Sequence, residues 1–266
     1  MEDKYFSKKH YVLVHGGCHG AWCWFKLKPL MESIGYRVTM LDMAASGINL
    51  TKINEIRTAA EYSEPLIQLM ASLPDDEKVV IVGHSLGGLN IALAMEMFPH
   101  KIAVAVFLTA FMPDSRNTPS FVFDQFAAKM PSGEDFWLDT EFMSYNDPNG
   151  SFEAYIFGTQ FLSKLYRISP IEDLMLAITL RRPTSFFLND IRRPETKLSK
   201  ERYGSVKRVY VVSDKDEAIP PSFQWWMIEN DAVKDVRTLQ GSDHMPMLCI
   251  PKQLCSCLHD IAQKYC

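Results

Sequence analysis

Val79-Val80-Ile81-Val82-Gly83-His84-Ser85-Leu86-Gly87-Gly88-Leu89-Asn90-Ile91-Ala92 is the stretch from which the fold follows. Four consecutive branched apolar residues read as a strand buried on both faces. Apolar residues resume after Gly87 at helical spacing. The Gly-x-Ser-x-Gly between them reverses a strand into a helix within a few residues. Such a turn strains the backbone at Ser85, and glycines at 83 and 87 avoid clashes with the flanking elements. It also lifts the Ser85 hydroxyl above the sheet, at the positive end of the helix expected over Leu86–Phe98. The pattern alone is common by chance. Between a buried strand and an apolar helix it reads as a nucleophile elbow.

Outward from this turn, strand and helix signals alternate. Branched runs at Tyr11–Val14, Arg37–Leu41, Lys78–Val82, Ala103–Leu108, Val206–Val212 and Val236–Leu239 predict strands. Trp22–Ser33, Thr58–Ser72, Leu86–Phe98 and Pro251–Tyr265 predict helices. The alternation implies an α/β fold, a mainly parallel sheet flanked by helices. From Met112 to about Tyr203 the beat stops, no buried strand is evident, and aromatic residues crowd the sequence. We read 112–203 as a mainly helical cap insertion over the sheet's carboxyl edge, between core segments 1–111 and 204–266.

A serine nucleophile needs a general base, and the base an orienting acid, in the chain order Ser, acid, His. His244, in the loop Gly241-Ser242-Asp243-His244-Met245 after the last predicted strand, is the expected base. The acid should follow the strand Val206–Val212, where Asp214 and Asp216 compete. Asp216 is chosen because it stands four residues before the redirecting Pro220. Asp214 reads as a turn-former, and Asp243, adjacent to the base, as structural. The oxyanion hole needs two backbone N–H groups, assigned to Leu86 and to Gly17 in His15-Gly16-Gly17-Cys18-His19-Gly20. His15 and His19 are expected to brace that loop, and Cys18 to pack.

Composition excludes other classes. The 266 residues carry 28 basic and 32 acidic side chains, net −4, without a basic stripe, so nucleic acid is not an expected partner. Arg181-Arg182-Pro183 and Arg192-Arg193-Pro194 read as solvated loop charges. The longest nearly apolar run, Ile102–Met112, is about half of a bilayer span. Met1-Glu2-Asp3-Lys4 has no apolar stretch, so neither a membrane span nor a signal peptide is expected. The six cysteines form no Cys-x-x-Cys pair. Reduced thiols, no metal and a cytoplasmic location are the expectation.

Several motifs together resemble the plant methylesterase branch of the α/β-hydrolases. They are Lys9 through Trp22, Leu27-Lys28-Pro29-Leu30, Ala45-Ser46-Gly47, Gly83 through Gly88, Phe111-Met112-Pro113-Asp114, Gly204 through Arg208, and Asp243 through Leu248. The resemblance runs nearly end to end. It implies a cofactor-free serine esterase acting on small carboxylic methyl esters through Ser85, Asp216 and His244. It also implies a cap over the pocket and, often, a homodimer. In the related hydroxynitrile lyases Thr stands at the place of Gly16 and Lys at that of Met245; this chain has neither, which argues against cyanide release. A decarboxylating relative replaces the serine by Ala, whereas Ser85 is intact here. The alternatives kept are lyase-like or decarboxylase activity on this fold, and a binding protein with slow turnover.

By the same resemblance Trp137, and with it Phe157 and Leu180, lines the acyl pocket beside Gly16 and Met245. The aromatic content suggests an apolar, ring-bearing acid, either a phytohormone or an alkaloid. His15-Gly16-Gly17-Cys18 and Tyr62-Ser63-Glu64-Pro65-Leu66 lean towards an alkaloid-ester member. A product acid with a carbonyl β to its carboxylate would lose CO₂.

Overall fold

The computed structural model describes residues 9–130, 134–147 and 150–266; the leader reading at Met1–Lys4 falls outside them. Six parallel strands form the main sheet: β1 (His10–Val14), β2 (Arg37–Leu41), β3 (Val79–His84), β4 (Ile102–Leu108), β7 (Arg208–Ser213) and β8 (Asp235–Leu239). Their order is β2-β1-β3-β4-β7-β8. The direction of winding reverses between β1 and β3, and a crevice opens at the carboxyl ends of strands at such a switch point. The loops bearing Gly16, Gly17 and Ser85 leave from these two strands.

Strands β1, β3 and β4 are buried almost throughout because helices cover both faces. On the sheet lie α1 (Leu27–Ser33), α2 (Ala59–Tyr62), α3 (Glu64–Ser72), α4 (Gly87–Met97), α10 (Pro221–Asn230), α11 (Pro246–Cys249) and α12 (Pro251–Tyr265). The helix expected over Trp22–Ser33 is a 3₁₀ turn, Ala21–Trp24, followed by α1. That over Thr58–Ser72 breaks at Ser63, just before Pro65 in the first turn of α3. Helix α10 has no counterpart in the sequence reading, since Pro220-Pro221 looks like a breaker; Pro at the first helical position is favourable instead.

Between β4 and β7 run α5 (Phe121–Lys129), α6 (Glu134–Trp137), α7 (Thr159–Leu165), α8 (Ile171–Leu180) and α9 (Leu188–Ile191). The same stretch contains an antiparallel hairpin, β5 (Glu141–Asp147) and β6 (Gly150–Ile156), where no buried strand is expected. Only Ile156 among its residues is β-branched, and neither strand is continuously apolar. In β6, buried Phe152 and Ala154 alternate with exposed Ser151 and Glu153, so one face meets solvent.

The segment between β4 and β7 is tied to the sheet and its loops at named points. Asp243 accepts hydrogen bonds from the Ile168 and Ser169 N–H groups at 2.9 and 2.7 Å. The Arg182 N–H donates to the Cys18 carbonyl at 3.2 Å. Its guanidinium is half-buried and donates to the carbonyls of Gly47, Asn49 and Thr51, so this arginine is a clamp rather than a solvated loop charge.

Candidate active site

Ser85 stands between β3 and α4 with φ 55°, a left-handed conformation that a non-glycine residue enters at a cost of about 1–3 kcal/mol. The chain around it holds the strain. Its N–H donates to the Leu108 carbonyl at 3.4 Å, while its own carbonyl accepts from Gly88 and Phe111 at 3.1 and 3.0 Å. A Cβ at Gly87 would lie 2.7 Å from the carbonyl oxygens of both Val14 and His15, so only glycine lets α4 start this close to β1.

His244 follows β8, and its Nδ1–H donates to Asp216 Oδ2 at 2.7 Å. Both side chains are nearly fully buried. Asp216 lies past the end of β7, where Oδ1 accepts from the Ala218 and Ile219 N–H groups at 2.7 and 2.9 Å. Oδ2 also takes the Thr109 hydroxyl and, at 3.4 Å, Gln224 Nε2. Five donors thus fix this carboxylate in one orientation. Asp214 instead accepts the Ser242 N–H at 3.1 Å, and Asp243 holds the cap loop and the Met245 N–H.

Thr109 and Gln224 escape the sequence reading. Thr109, which follows β4 with φ 39°, carries only the weak signal of a lone polar residue in an apolar run. Gln224 sits fully buried on α10.

His84 packs against the His244 ring at 4.8 Å between centroids and donates from Nε2 to the His244 carbonyl at 2.7 Å. Burial first, then the neighbouring His244, pushes its pKa well below the usual histidine value. It is a neutral brace for His244.

The loop after β1 is held by two histidines. His15 accepts the Met43 N–H on Nε2 at 3.1 Å and donates from Nδ1 to the Gly16 carbonyl at 2.8 Å. His19 donates to the Gly17 carbonyl at 2.8 Å and accepts the Tyr166 hydroxyl at 2.6 Å. Burial lowers the His19 pKa to about 4, so this brace stays uncharged. Burial raises the Cys18 thiol to about 12, which leaves it a packing residue. Among the described residues, neither the Gly17 N–H nor the Leu86 N–H donates to a protein acceptor. Gly16 is pressed against the elbow: a Cβ there would meet Ser85 Cβ at 2.7 Å. Met245, next to His244 in the chain, is fully buried.

Above the loop stands an aromatic cage. Trp137, half-buried at the end of α6, lies 5.4 Å from Phe161, 5.9 Å from Phe186 and 6.2 Å from Tyr155. Phe157 lies 4.6 Å from Phe161, and Tyr155 stacks on Phe186 at 4.5 Å. Each such pair adds about 0.5–1.5 kcal/mol beyond burial, which stiffens the wall. Leu180, at the end of α8, is 39% exposed and stands outside the packed core. Tyr155 and Phe186 join the wall without having been singled out; in sequence they are two aromatics among many. A cavity of about 320 Å³ is lined by these two residues together with Arg57 and Arg193, and neither Ser85 nor His244 lines it.

Residues 11–249 match the model of the alpha/beta hydrolase family. The chain belongs to that family. It is 53% identical over 260 residues to Methylesterase 1 of Arabidopsis thaliana, covering 97% of each chain. It is 52% identical to Salicylic acid-binding protein 2 of Nicotiana tabacum, covering 97% of this chain and 98% of that one. The crystal structure of polyneuridine aldehyde esterase superposes with a TM-score of 0.93 at 46% identity, over 96% of this chain and 99% of that one. Relatives this similar make the protein a serine carboxylic ester hydrolase. The two stretches that lean towards polyneuridine aldehyde esterase are not matched by higher identity over the whole chain. Among the described residues no cluster of His, Cys, Asp or Glu could hold a metal ion, and no helix is long and apolar enough to cross a membrane.

Proposed function

We propose that the protein hydrolyses the methyl ester of a small, apolar, ring-bearing carboxylic acid through an acyl-enzyme on Ser85. The observation that carries this reading is the Asp216–His244 pair. A buried, five-donor carboxylate fixes the proton on His244 Nδ1, which leaves Nε2 unprotonated to act as base. His244 takes the Ser85 proton as the hydroxyl attacks the ester carbonyl. The N–H groups of Gly17 and Leu86 hold the oxyanion, each worth about 3–4 kcal/mol in sites of this kind. Methanol leaves with the proton from His244. Water, activated by the same imidazole, then releases the acid and restores the serine. No cofactor or metal enters any step.

The cage of Trp137, Phe157, Tyr155 and Phe186 supports an aromatic or cyclic acyl group. Gly16 borders the nucleophile and Met245 the base, both without charge, which supports ester cleavage over cyanide release. The family resemblance supports a homodimer, and the six free cysteines a cytoplasmic location; size-exclusion chromatography and a fluorescent fusion test these two points. The substrate class is tested by a panel of phytohormone and indole-alkaloid methyl esters, with free acid and CO₂ measured by mass spectrometry. Free acid formed by the wild type and lost in Ser85→Ala is expected. CO₂ accompanying the acid identifies a β-carbonyl substrate. No acid from any ester overturns the proposal.

A further inference from the structure

We propose that the Tyr155 hydroxyl is a substrate-recognition donor, selecting esters whose acyl group carries a hydrogen-bond acceptor on the α- or β-carbon. The inference rests on the esterase reading and adds to it a chemical class of acid.

Tyr155 belongs to β6 but leaves the hairpin's solvent face. Its backbone pairs with Thr184 through hydrogen bonds of 2.7 and 2.9 Å, and its side chain is 2% exposed. The ring is fixed by Phe186 on one side and by Phe157 at 5.3 Å. The hydroxyl is thereby carried to the loop after β1. A Cβ built on Gly17 would lie 2.6 Å from Tyr155 Oη, so the oxygen rests against the α-carbon of the residue proposed as oxyanion donor.

The other buried tyrosines all have partners. Tyr11 donates to the Leu258 carbonyl and Tyr210 to the Ala110 carbonyl; Tyr203 donates to the Pro113 carbonyl. Tyr62 pairs with Ser46, Tyr166 with His19 and Tyr36 with His259. Among the described residues, Tyr155 Oη has none. The oxygen is left without a protein acceptor on a side chain otherwise enclosed, and it lies against Gly17, one residue from the glycine that presses on Ser85. Burial also raises its pKa well above the usual phenol value, so it remains a neutral donor at physiological pH.

A bound acyl group supplies the missing acceptor. Because Oη faces the α-carbon of Gly17, it flanks the ester carbonyl. The atom it reaches is therefore a hydroxyl, keto or ring oxygen one or two carbons from that carbonyl. A site that hydrogen-bonds a substrate oxygen discriminates against the analogue lacking it.

The test uses two matched pairs of methyl esters, methyl mandelate against methyl phenylacetate and methyl benzoylacetate against methyl 3-phenylpropanoate. Wild type is expected to favour the oxygenated member of at least one pair by about ten-fold or more in kcat/KM. Tyr155→Phe should remove that preference by slowing the oxygenated ester, leaving its deoxy partner within about three-fold. Equal loss on both members means that the hydroxyl supports only the loop, and this overturns the assignment, as does a wild type indifferent to the oxygen in both pairs. Binding of mandelate and phenylacetate by calorimetry makes the same comparison without turnover, with the preference in wild type expected to vanish in Tyr155→Phe. Inert wild type on all four esters would refute the esterase reading, and the binding arm would then decide the role of Tyr155.

Discussion

Replacing Asp216 by Asn alters a carboxylate that five donors surround. An amide offers one acceptor oxygen. With that oxygen kept on the Ala218 and Ile219 N–H groups, the new NH₂ faces the Thr109 hydroxyl, Gln224 Nε2 and His244 Nδ1. Donor would then meet donor at His244. The imidazole escapes by moving its proton to Nε2 and accepting from the amide at Nδ1, which removes the lone pair that must take the Ser85 proton. In Ser-His-Asp triads the wrong tautomer costs about 10⁴ in kcat, or about 5.4 kcal/mol of transition-state stabilisation. Folding stability should fall by only about 1–3 kcal/mol for a mispaired buried donor, at about 2–4 °C of melting temperature per kcal/mol in a domain of this size. The assay is kcat on p-nitrophenyl acetate, measured well below the melting point of each variant. Asp214→Asn is the control, because its remaining oxygen still accepts the Ser242 N–H, and activity within about three-fold of wild type is expected. A folded Asp216→Asn retaining more than a tenth of wild-type kcat, or a crippled Asp214→Asn, would refute the assignment.

Ser85→Ala should lower ester turnover by about 10³-fold or more with the melting temperature within a few degrees of wild type, as read by calorimetry; full activity would remove Ser85 as nucleophile. Gly16→Ala should lower kcat by about 10²-fold, because its Cβ would reach 2.7 Å from Ser85 Cβ and displace the nucleophile; unchanged kinetics would mean the loop yields freely. Acid should destabilise the fold through its buried histidines. His19 stays neutral down to about 4 while the unfolded chain takes up its proton near 6.5, and His15 and His84 are depressed in the same direction. The stability that a neutral His19 contributes is full above about 6.5 and is lost as pH falls towards 4, at about 1.4 kcal/mol per pH unit, and His15 and His84 act in the same direction. Melting curves between these limits should be shallower for His19→Gln than for wild type, and identical slopes would contradict a neutral His19.

The sheet was legible because its strands are short continuous apolar runs, and the elbow because strand, Gly-x-Ser-x-Gly and apolar helix coincide. His244 and Asp216 followed from chain order and the position of Pro220, and the structure joins these two side chains at 2.7 Å. What the sequence could not convey was the support around them. Thr109 and Gln224 reach Asp216 across 107 and 8 residues of chain, contacts no periodicity records. The hairpin β5–β6 stayed hidden because one face meets solvent and its aromatics resemble those of the neighbouring helices. Arg182 read as a surface charge, since its three carbonyl acceptors come from a loop more than a hundred residues away. Of the four cage residues Trp137 and Phe157 were singled out, whereas Tyr155 and Phe186 were not, because they become neighbours only when the segment between β4 and β7 folds.

Covalent catalysis by Ser85 is tested by rapid-mixing kinetics with p-nitrophenyl acetate. An acyl-enzyme predicts a burst of nitrophenol stoichiometric with active protein, accompanied by one acetyl group on the peptide containing Ser85. Both signals should vanish together in Ser85→Ala. Steady turnover with no burst and no modified serine, or an acetyl group that maps elsewhere while Ser85→Ala stays active, would contradict it.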